Sequence, residues 1–399
     1  MEPIITSILT TDLYKLTMGQ AVAKEFARAP VSYSFINRGK TVFPKGFADE
    51  LRNQIELMSQ LRLTKDELSF LTAKCGRFLD PVYLNMILSG YQFDPREVKI
   101  SQNDGDLSVE INGEWARTIY WEVPLMALIV ELYYLLEKHP LMIRSRVATL
   151  SEVYDEAYKK GVRLAEAKCK LSEFGTRRRH SGKIQQTVLK ALKESMGEYL
   201  IGTSNVQLAM EMGITPQGTQ AHEWISGIAA IEGLEKANLK SMQRWSKVYN
   251  GDLGIALTDT FGTDSFFRDF NLYYAKLFDG VRHDSGDPIS FGERVIEHYD
   301  KLRIDPKSKI IFFSDGLDVD SAIMIKHHFK DRVKISFGIG TSLTNDIGYK
   351  PLNIVIKLIN VCGTPAVKLS DNQGKEIGDS DYIRIAKKLH GCRDFMAAP

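Results

Sequence analysis

Three consecutive arginines end the string Ser172-Glu173-Phe174-Gly175-Thr176-Arg177-Arg178-Arg179, with Lys183 close behind. Guanidinium forks at a strand end suit bidentate capture of phosphate or carboxylate, so an acidic small molecule is the first candidate ligand. A solvated cationic face at a helix start is the plain alternative. Arg282-His283-Asp284-Ser285-Gly286-Asp287-Pro288 combines a cation, two carboxylates and a glycine ahead of a helix that Pro288 can open. Carboxylates there can accept from ribose hydroxyls or hold magnesium through water, while Asp287 can equally be a helix cap. Two late loops, Ser314-Asp315-Gly316-Leu317-Asp318 and Phe337-Gly338-Ile339-Gly340-Thr341-Ser342, can bring backbone N–H groups close to an anion. Gly-rich turns mostly just turn, so neither loop is decisive alone. His222, in Gly218-Thr219-Gln220-Ala221-His222-Glu223-Trp224, can serve as acid, base or phosphoryl acceptor if a carboxylate holds its other nitrogen. A lone histidine is more often structural, and its spacing leaves both readings open.

These groups need a frame that brings them together. Apolar runs at Tyr199 to Ser204, Gly254 to Thr260, Leu277 to Arg282, Lys309 to Ser314 and Val333 to Phe337 alternate with amphipathic segments such as Val206 to Met212, Ile289 to Leu302 and Val319 to His328. That alternation predicts right-handed βαβ units and a parallel sheet. The polar residues fall where strands end: Glu173 and Arg177, Thr203 and Ser204, Asp259 and Thr260, Arg282 and Asp284, Ser314 and Asp315, Gly338 and Gly340. Convergence of so many strand ends favours an irregular (β/α) barrel over an open doubly wound sheet.

Outside residues 136–349 the pattern changes. Glu50 to Leu71 reads as helical, and Val98 to Ile119 as a hairpin around Asn103-Asp104-Gly105 and Asn112-Gly113. Val123 to Leu136 reads as a buried helix, too short and too interrupted by Glu131 to span a membrane. Asn353 to Ile359 and Ala366 to Leu369 read as strands, with a turn near Asn372 to Gly374. The expected organisation is α/β: residues 1–135, completed by 350–399, form an α+β domain, and 136–349 the barrel. With 399 residues, 44% hydrophobic content and a net charge of +2, the composition suits a small-molecule enzyme. The arginines cluster at one strand end, not in a basic stripe, which argues against nucleic acid. Cys75, Cys169, Cys362 and Cys392 lack CxxC spacing, and no basic segment precedes an apolar one at the N-terminus, so a reduced, cytoplasmic protein is expected.

The strings TDLYKLTM, EFGTRRR, GTSNV, GTQAHEW, LTDTFGTD, VRHDSGDP, SDGLD and FGIGT, in this order, resemble those of the nicotinate phosphoribosyltransferase family, of the type II phosphoribosyltransferase superfamily. The resemblance covers nearly the whole chain. It implies that nicotinate displaces pyrophosphate from phosphoribosyl pyrophosphate (PRPP), giving nicotinate mononucleotide for NAD biosynthesis by the Preiss-Handler salvage route. It also implies ATP as co-substrate, with His222 the phosphohistidine, Asp259 its orienting carboxylate and Glu223 the local alternative. Phe174 and Tyr14 match the aromatic pair around the pyridine ring, Tyr14 reaching the site across a homodimer interface. Arg177 matches an arginine beside ring and phosphates, Arg282 and Asp284 lie near ring and ribose, and Gly316, Gly338 and Gly340 shape the 5′-phosphate turns. Thr203, Ser204, Asp315 and Thr341 complete the expected substrate contacts. Nicotinamide-using relatives carry an acidic residue at the position of Ser204, so a neutral residue there favours a carboxylate substrate. Magnesium is expected to arrive with the phosphates of PRPP or ATP, since no dedicated metal cage is visible. Nicotinamide or quinolinate transfer, a barrel aldolase and a silent metabolite sensor are the rival readings.

Overall fold

The computed structural model describes residues 1–137, 148–372 and 374–391. Two sheets organise the chain. The first is antiparallel, in the order β11-β10-β1-β3-β2, where β1 is Pro30–Asn37, β2 Val98–Asn103, β3 Asp106–Glu114, β10 Ile354–Val361 and β11 Thr364–Pro365. Strands β2 and β3 meet through a two-residue turn in which Asp104 takes φ 49, a left-handed conformation that Asp tolerates. Along β3, Leu107, Val109 and Ile111 alternate inward and are buried, as one packed face requires. The expected turn at Asn112-Gly113 is absent: both residues continue β3, and a helical turn, Trp115–Thr118, follows.

The second sheet is parallel, in the order β5-β4-β9-β8-β7-β6, where β4 is Leu171–Glu173, β5 Leu200–Thr203, β6 Ile255–Leu257, β7 Gly280–His283, β8 Ile310–Phe313 and β9 Lys334–Ile339. Each expected strand is present: β5, β6 and β8 are trimmed at their ends, β7 begins later and runs on to His283 because Leu272–Leu277 is helical, and β9 runs on to Ile339. Helices Val206–Met212, Pro288–Lys301 and Val319–His328 start at Asn205, Asp287 and Asp318, whose side chains accept from the first-turn N–H groups of Leu208, Ser290 and Ser321. Strands β5 and β6 do not pair. The irregular segment 215–219 lies between them: Gln217 N–H donates to the Thr203 carbonyl at 2.8 Å, and the Thr219 hydroxyl to the Ile255 carbonyl at 3.2 Å.

Helix Glu122–Leu136 is apolar nearly all round and buried, because it serves both units. It packs against β10 on one side and against the arginine turn Thr176–Arg178 on the other. The C-terminal segment also serves both. Strand β10 pairs with β1, but Ala366 to Leu369 is not a strand of that sheet. Instead Leu369 N–H donates to the Thr260 carbonyl at 2.8 Å, and helix Ser380–His390 docks through His390 Nδ1, 2.6 Å from the Ser265 hydroxyl. The run is apolar because Ala366, Val367 and Leu369 are buried against the barrel. Gln373, within the expected turn, and Cys392 lie outside the described residues.

Candidate functional site

At the strand ends of the parallel sheet an apolar slot of about 200 Å³ opens between Tyr14, Phe174, Arg177, Ser204, Arg282 and Phe312. Phe174 stacks on Phe312 with centroids 5.4 Å apart. Each site arginine covers one ring: Arg177 sits 5.9 Å from the centre of Tyr14 and Arg282 6.0 Å from that of Phe174. Tyr14 comes from the same chain, held there because Leu13 N–H donates to the Ser204 carbonyl at 2.9 Å. No partner copy is needed to supply it, contrary to the expected route across a dimer interface.

The slot also contains a carboxylate the sequence did not flag. Asp12 accepts from the Ser204 hydroxyl at 2.7 Å and lies 3.9 Å from Arg177. Burial raises its pKa, against the pull of Arg177. Neutrality at Ser204 alone therefore does not keep negative charge out of the slot. Arg177 and Arg282 bring guanidinium groups to the slot beside Asp12, although each also faces a carboxylate outside it, Arg177 with Glu122 at 3.4 Å and Arg282 with Asp284 at 2.8 Å.

A polar groove of about 570 Å³ runs on from the slot and shares Phe174, Arg177 and Arg282 with it. Its further wall holds Arg178, Asp284, Asp315, Gly316, Gly338, Gly340 and Thr341. A Cβ on Gly338 would come within 2.6 Å of the Phe174 ring, and one on Gly340 within 2.7 Å of the Phe174 carbonyl. These two glycines let the slot aromatic pack under the groove. Gly316, at φ 59 with open space around it, is instead a left-handed turn. His180 stacks on Tyr134 and Tyr349 at 4.5 and 5.5 Å, and burial pulls its pKa down to about 4. It is a neutral spacer behind the groove wall.

His222 opens helix His222–Glu232 beside this groove. Its Nδ1 is 2.9 Å from the Thr260 hydroxyl, and its Nε2 is 2.9 Å from Asp284 and 2.8 Å from the Lys368 ammonium. Desolvation and Lys368 lower its pKa, outweighing Asp259 and Asp284. The ring is thus neutral near pH 7, with Nδ1 against the Thr260 hydroxyl and Nε2 facing both Asp284 and Lys368. Asp284 meanwhile has Arg282 and the Ser314 hydroxyl at 2.8 and 2.9 Å. Asp259 stands 3.6 Å from Nε2 and takes Lys368 at 3.0 Å and the Ser285 hydroxyl at 2.7 Å. Asp284 is therefore the nearer carboxylate.

Two expected site residues lie elsewhere. Glu223 points away from His222 into the core, where it accepts from Tyr33 at 2.6 Å, Trp115 at 2.9 Å and Lys15. Thr203 does not line the slot; its hydroxyl donates to Glu173 at 2.6 Å beneath it. Lys368 and Asp12 are the site residues not singled out: Asp12 lies within the string TDLYKLTM, of which only Tyr14 was assigned a place, and Lys368 comes from the C-terminal segment with no motif around it.

His222, Asp259 and Asp284 have donor atoms within 4.8 Å of one another, the only such cluster among the described residues. Lys368 already supplies a cation at that point, so a resident metal there would compete with it. Asp284 and Asp315, lining the groove, fit a magnesium carried on a phosphate chain, which would neutralise departing charge.

Glu173 underlies the arginine turn without a directly paired cation. Desolvation raises its pKa from the ordinary 4.5 to about 7, despite bonds from Thr203, Gln185 and Gly175. The folded state then holds the proton more tightly than the unfolded chain, so stability falls as pH rises from 4.5 through 7 and the loss is complete above that. The size is roughly 3 kcal/mol. Glu173→Gln lacks this loss, so wild type is expected to lose roughly 3 kcal/mol relative to the variant between pH 5 and pH 8 in urea unfolding. A gap independent of pH would contradict the assignment.

A slot lined by aromatic rings and arginines, continuous with a polar groove that a neutral histidine adjoins, marks a small-molecule α/β enzyme built on a parallel sheet. Comparison with known proteins makes this specific. The nicotinate phosphoribosyltransferase (NAPRTase) family model matches residues 169–392, and its N-terminal domain model residues 9–130. A nicotinate phosphoribosyltransferase of Desulforapulum autotrophicum is 46% identical over 392 residues, covering 97% of this chain and 99% of that protein. The crystal structure of nicotinate phosphoribosyltransferase from Porphyromonas gingivalis superposes with a TM-score of 0.92 at 43% identity, covering 97% of this chain and all of that one. That from Vibrio cholerae gives 0.88 at 34% identity, covering 98% and 94%. The chain belongs to the nicotinate phosphoribosyltransferase family.

Proposed function

We propose that the protein joins nicotinate to the phosphoribosyl group of PRPP and releases pyrophosphate, with ATP cleavage coupled through a phosphohistidine at His222, in the Preiss-Handler route to NAD. The observation that carries this reading is the shared wall: Phe174, Arg177 and Arg282 belong both to the aromatic slot and to the anion groove. A planar acid in the slot and a phosphorylated sugar in the groove would meet there. The ring nitrogen attacks C1′ as the bond to pyrophosphate breaks, and the guanidinium groups position the reactants and offset the departing charge. Asp284 and Asp315 would hold the magnesium that travels with the phosphates.

For the ATP step, the neutral Nε2 of His222 takes the γ-phosphoryl group and ADP leaves, with Lys368 beside the new phosphoryl oxygens. Nicotinamide is the second reading, because Asp12 could accept from an amide; the two arginines weigh against it. Among the described residues no helix is long and apolar enough to cross a membrane, and Cys75, Cys169 and Cys362 are free thiols. The free thiols fit the cytoplasm as the working compartment. ATP labelled in the γ-phosphate tests the coupling: wild type is expected to take up acid-labile, base-stable label, and His222→Asn to take up none. Equal labelling of both would overturn the role of His222.

A further inference from the structure

We propose that Lys15 is a positioning residue that ties the aromatic slot to His222; the His222 end of this tie rests on the function proposed above. Lys15 is completely buried and follows Tyr14, which lines the slot. Its ammonium is clamped between two carboxylates from different elements. Glu122, 2.7 Å away, opens helix Glu122–Leu136, and Glu223, in still closer contact, follows His222 in helix His222–Glu232. Glu122 in turn faces Arg177 at 3.4 Å and Lys357 at 3.7 Å. Charges therefore alternate from Arg177 through Glu122 and Lys15 to Glu223, and each end of the chain adjoins a site group.

Apolar residues of similar volume generally hold buried elements together at least as well as an ion pair does. An ammonium between two carboxylates adds direction: it fixes where helix His222–Glu232 stands relative to Tyr14 and Arg177. The other Glu223 oxygen is occupied by Tyr33 and Trp115, so this carboxylate has no freedom to follow His222 into the groove. A displacement of about 1 Å at a reacting group can cost on the order of 100-fold in rate, so such a tie matters even though Lys15 touches no reacting atom.

Three variants test it: Lys15→Met, Glu223→Gln and the double variant. Lys15→Met alone leaves the buried Glu223 without a cation and is expected to lose stability. The double variant removes one charge of each sign and is expected to recover most of the melting temperature. Glu223→Gln keeps an acceptor for Tyr33 and Trp115 and loosens only the His222 end. With ATP present it should lower kcat on the order of 10-fold or more, with KM for nicotinate near wild type. The double variant loosens both ends, so kcat should fall and KM rise together. If kcat and KM return with the melting temperature, Lys15 is a structural anchor and the proposal is wrong. Should the double variant not fold, wild-type kcat in folded Glu223→Gln overturns it equally. A wild-type rate indifferent to ATP would sink the phosphohistidine reading instead. The tie is then judged on the slot end, through KM of the double variant or, if that variant does not fold, of folded Lys15→Gln, where a wild-type value overturns it.

Discussion

Arg177→Met is expected to lower kcat/KM for nicotinate by roughly 10²-fold, the low end for truncating one partner of a buried charge pair, because its side chain is 35% exposed. Arg177 belongs to both the slot and the groove, lies over the Tyr14 ring, and faces Asp12 at 3.9 Å and Glu122 at 3.4 Å. Its removal takes away a cation for the substrate and leaves Asp12 to repel it. Part of the loss should appear in KM, as the slot ceases to favour an acid. Arg177→Lys keeps the charge but not the planar fork, so it should recover only part of the activity. Steady-state kinetics of the three proteins at matched melting temperature give the answer. A methionine variant with wild-type kcat/KM would mean that the anion is held elsewhere.

His222→Ala is expected to erase ATP stimulation completely while leaving a slow ATP-independent transfer. The slot and its arginines do not touch His222, so pyridine and sugar phosphate can still meet. What disappears is the neutral ring nitrogen aligned by Thr260 and faced by Lys368. Initial rates with and without ATP in the same preparation separate the two activities. Full stimulation in the variant would remove His222 from the coupling.

Much of the frame was legible because local and global signals agree. The helix Val206–Met212 has a capping Asn205 in front and Gly213 in the left-handed conformation behind, and Pro288 opens the helix capped by Asp287. The short apolar runs of the parallel sheet could hardly be other than buried strands between such helices. Phe174, Arg177, Arg282, Asp284, Gly316, Gly338, Gly340 and His222 lie where strand ends put them, around one groove or beside it.

What was not legible depends on tertiary contact. Glu223 looked like a partner for His222 because it is adjacent in sequence, yet consecutive helical residues point about 100° apart. That rotation turns its carboxylate to Lys15. Lys368 reaches Nε2 only because the C-terminal segment leaves the antiparallel sheet and crosses the barrel mouth, an excursion that an apolar run such as Ala366 to Leu369 cannot announce. Asp12 stands just before helix Leu13–Glu25, yet its side chain caps nothing and enters the slot instead.

The most direct test of the central claim is product analysis of the purified protein with PRPP and magnesium, offering nicotinate, nicotinamide or quinolinate in turn, each with and without ATP. The arrangement of slot, groove and histidine predicts nicotinate mononucleotide as the main product, formed faster with ATP. Product from nicotinamide alone, or from no pyridine at all, would contradict it.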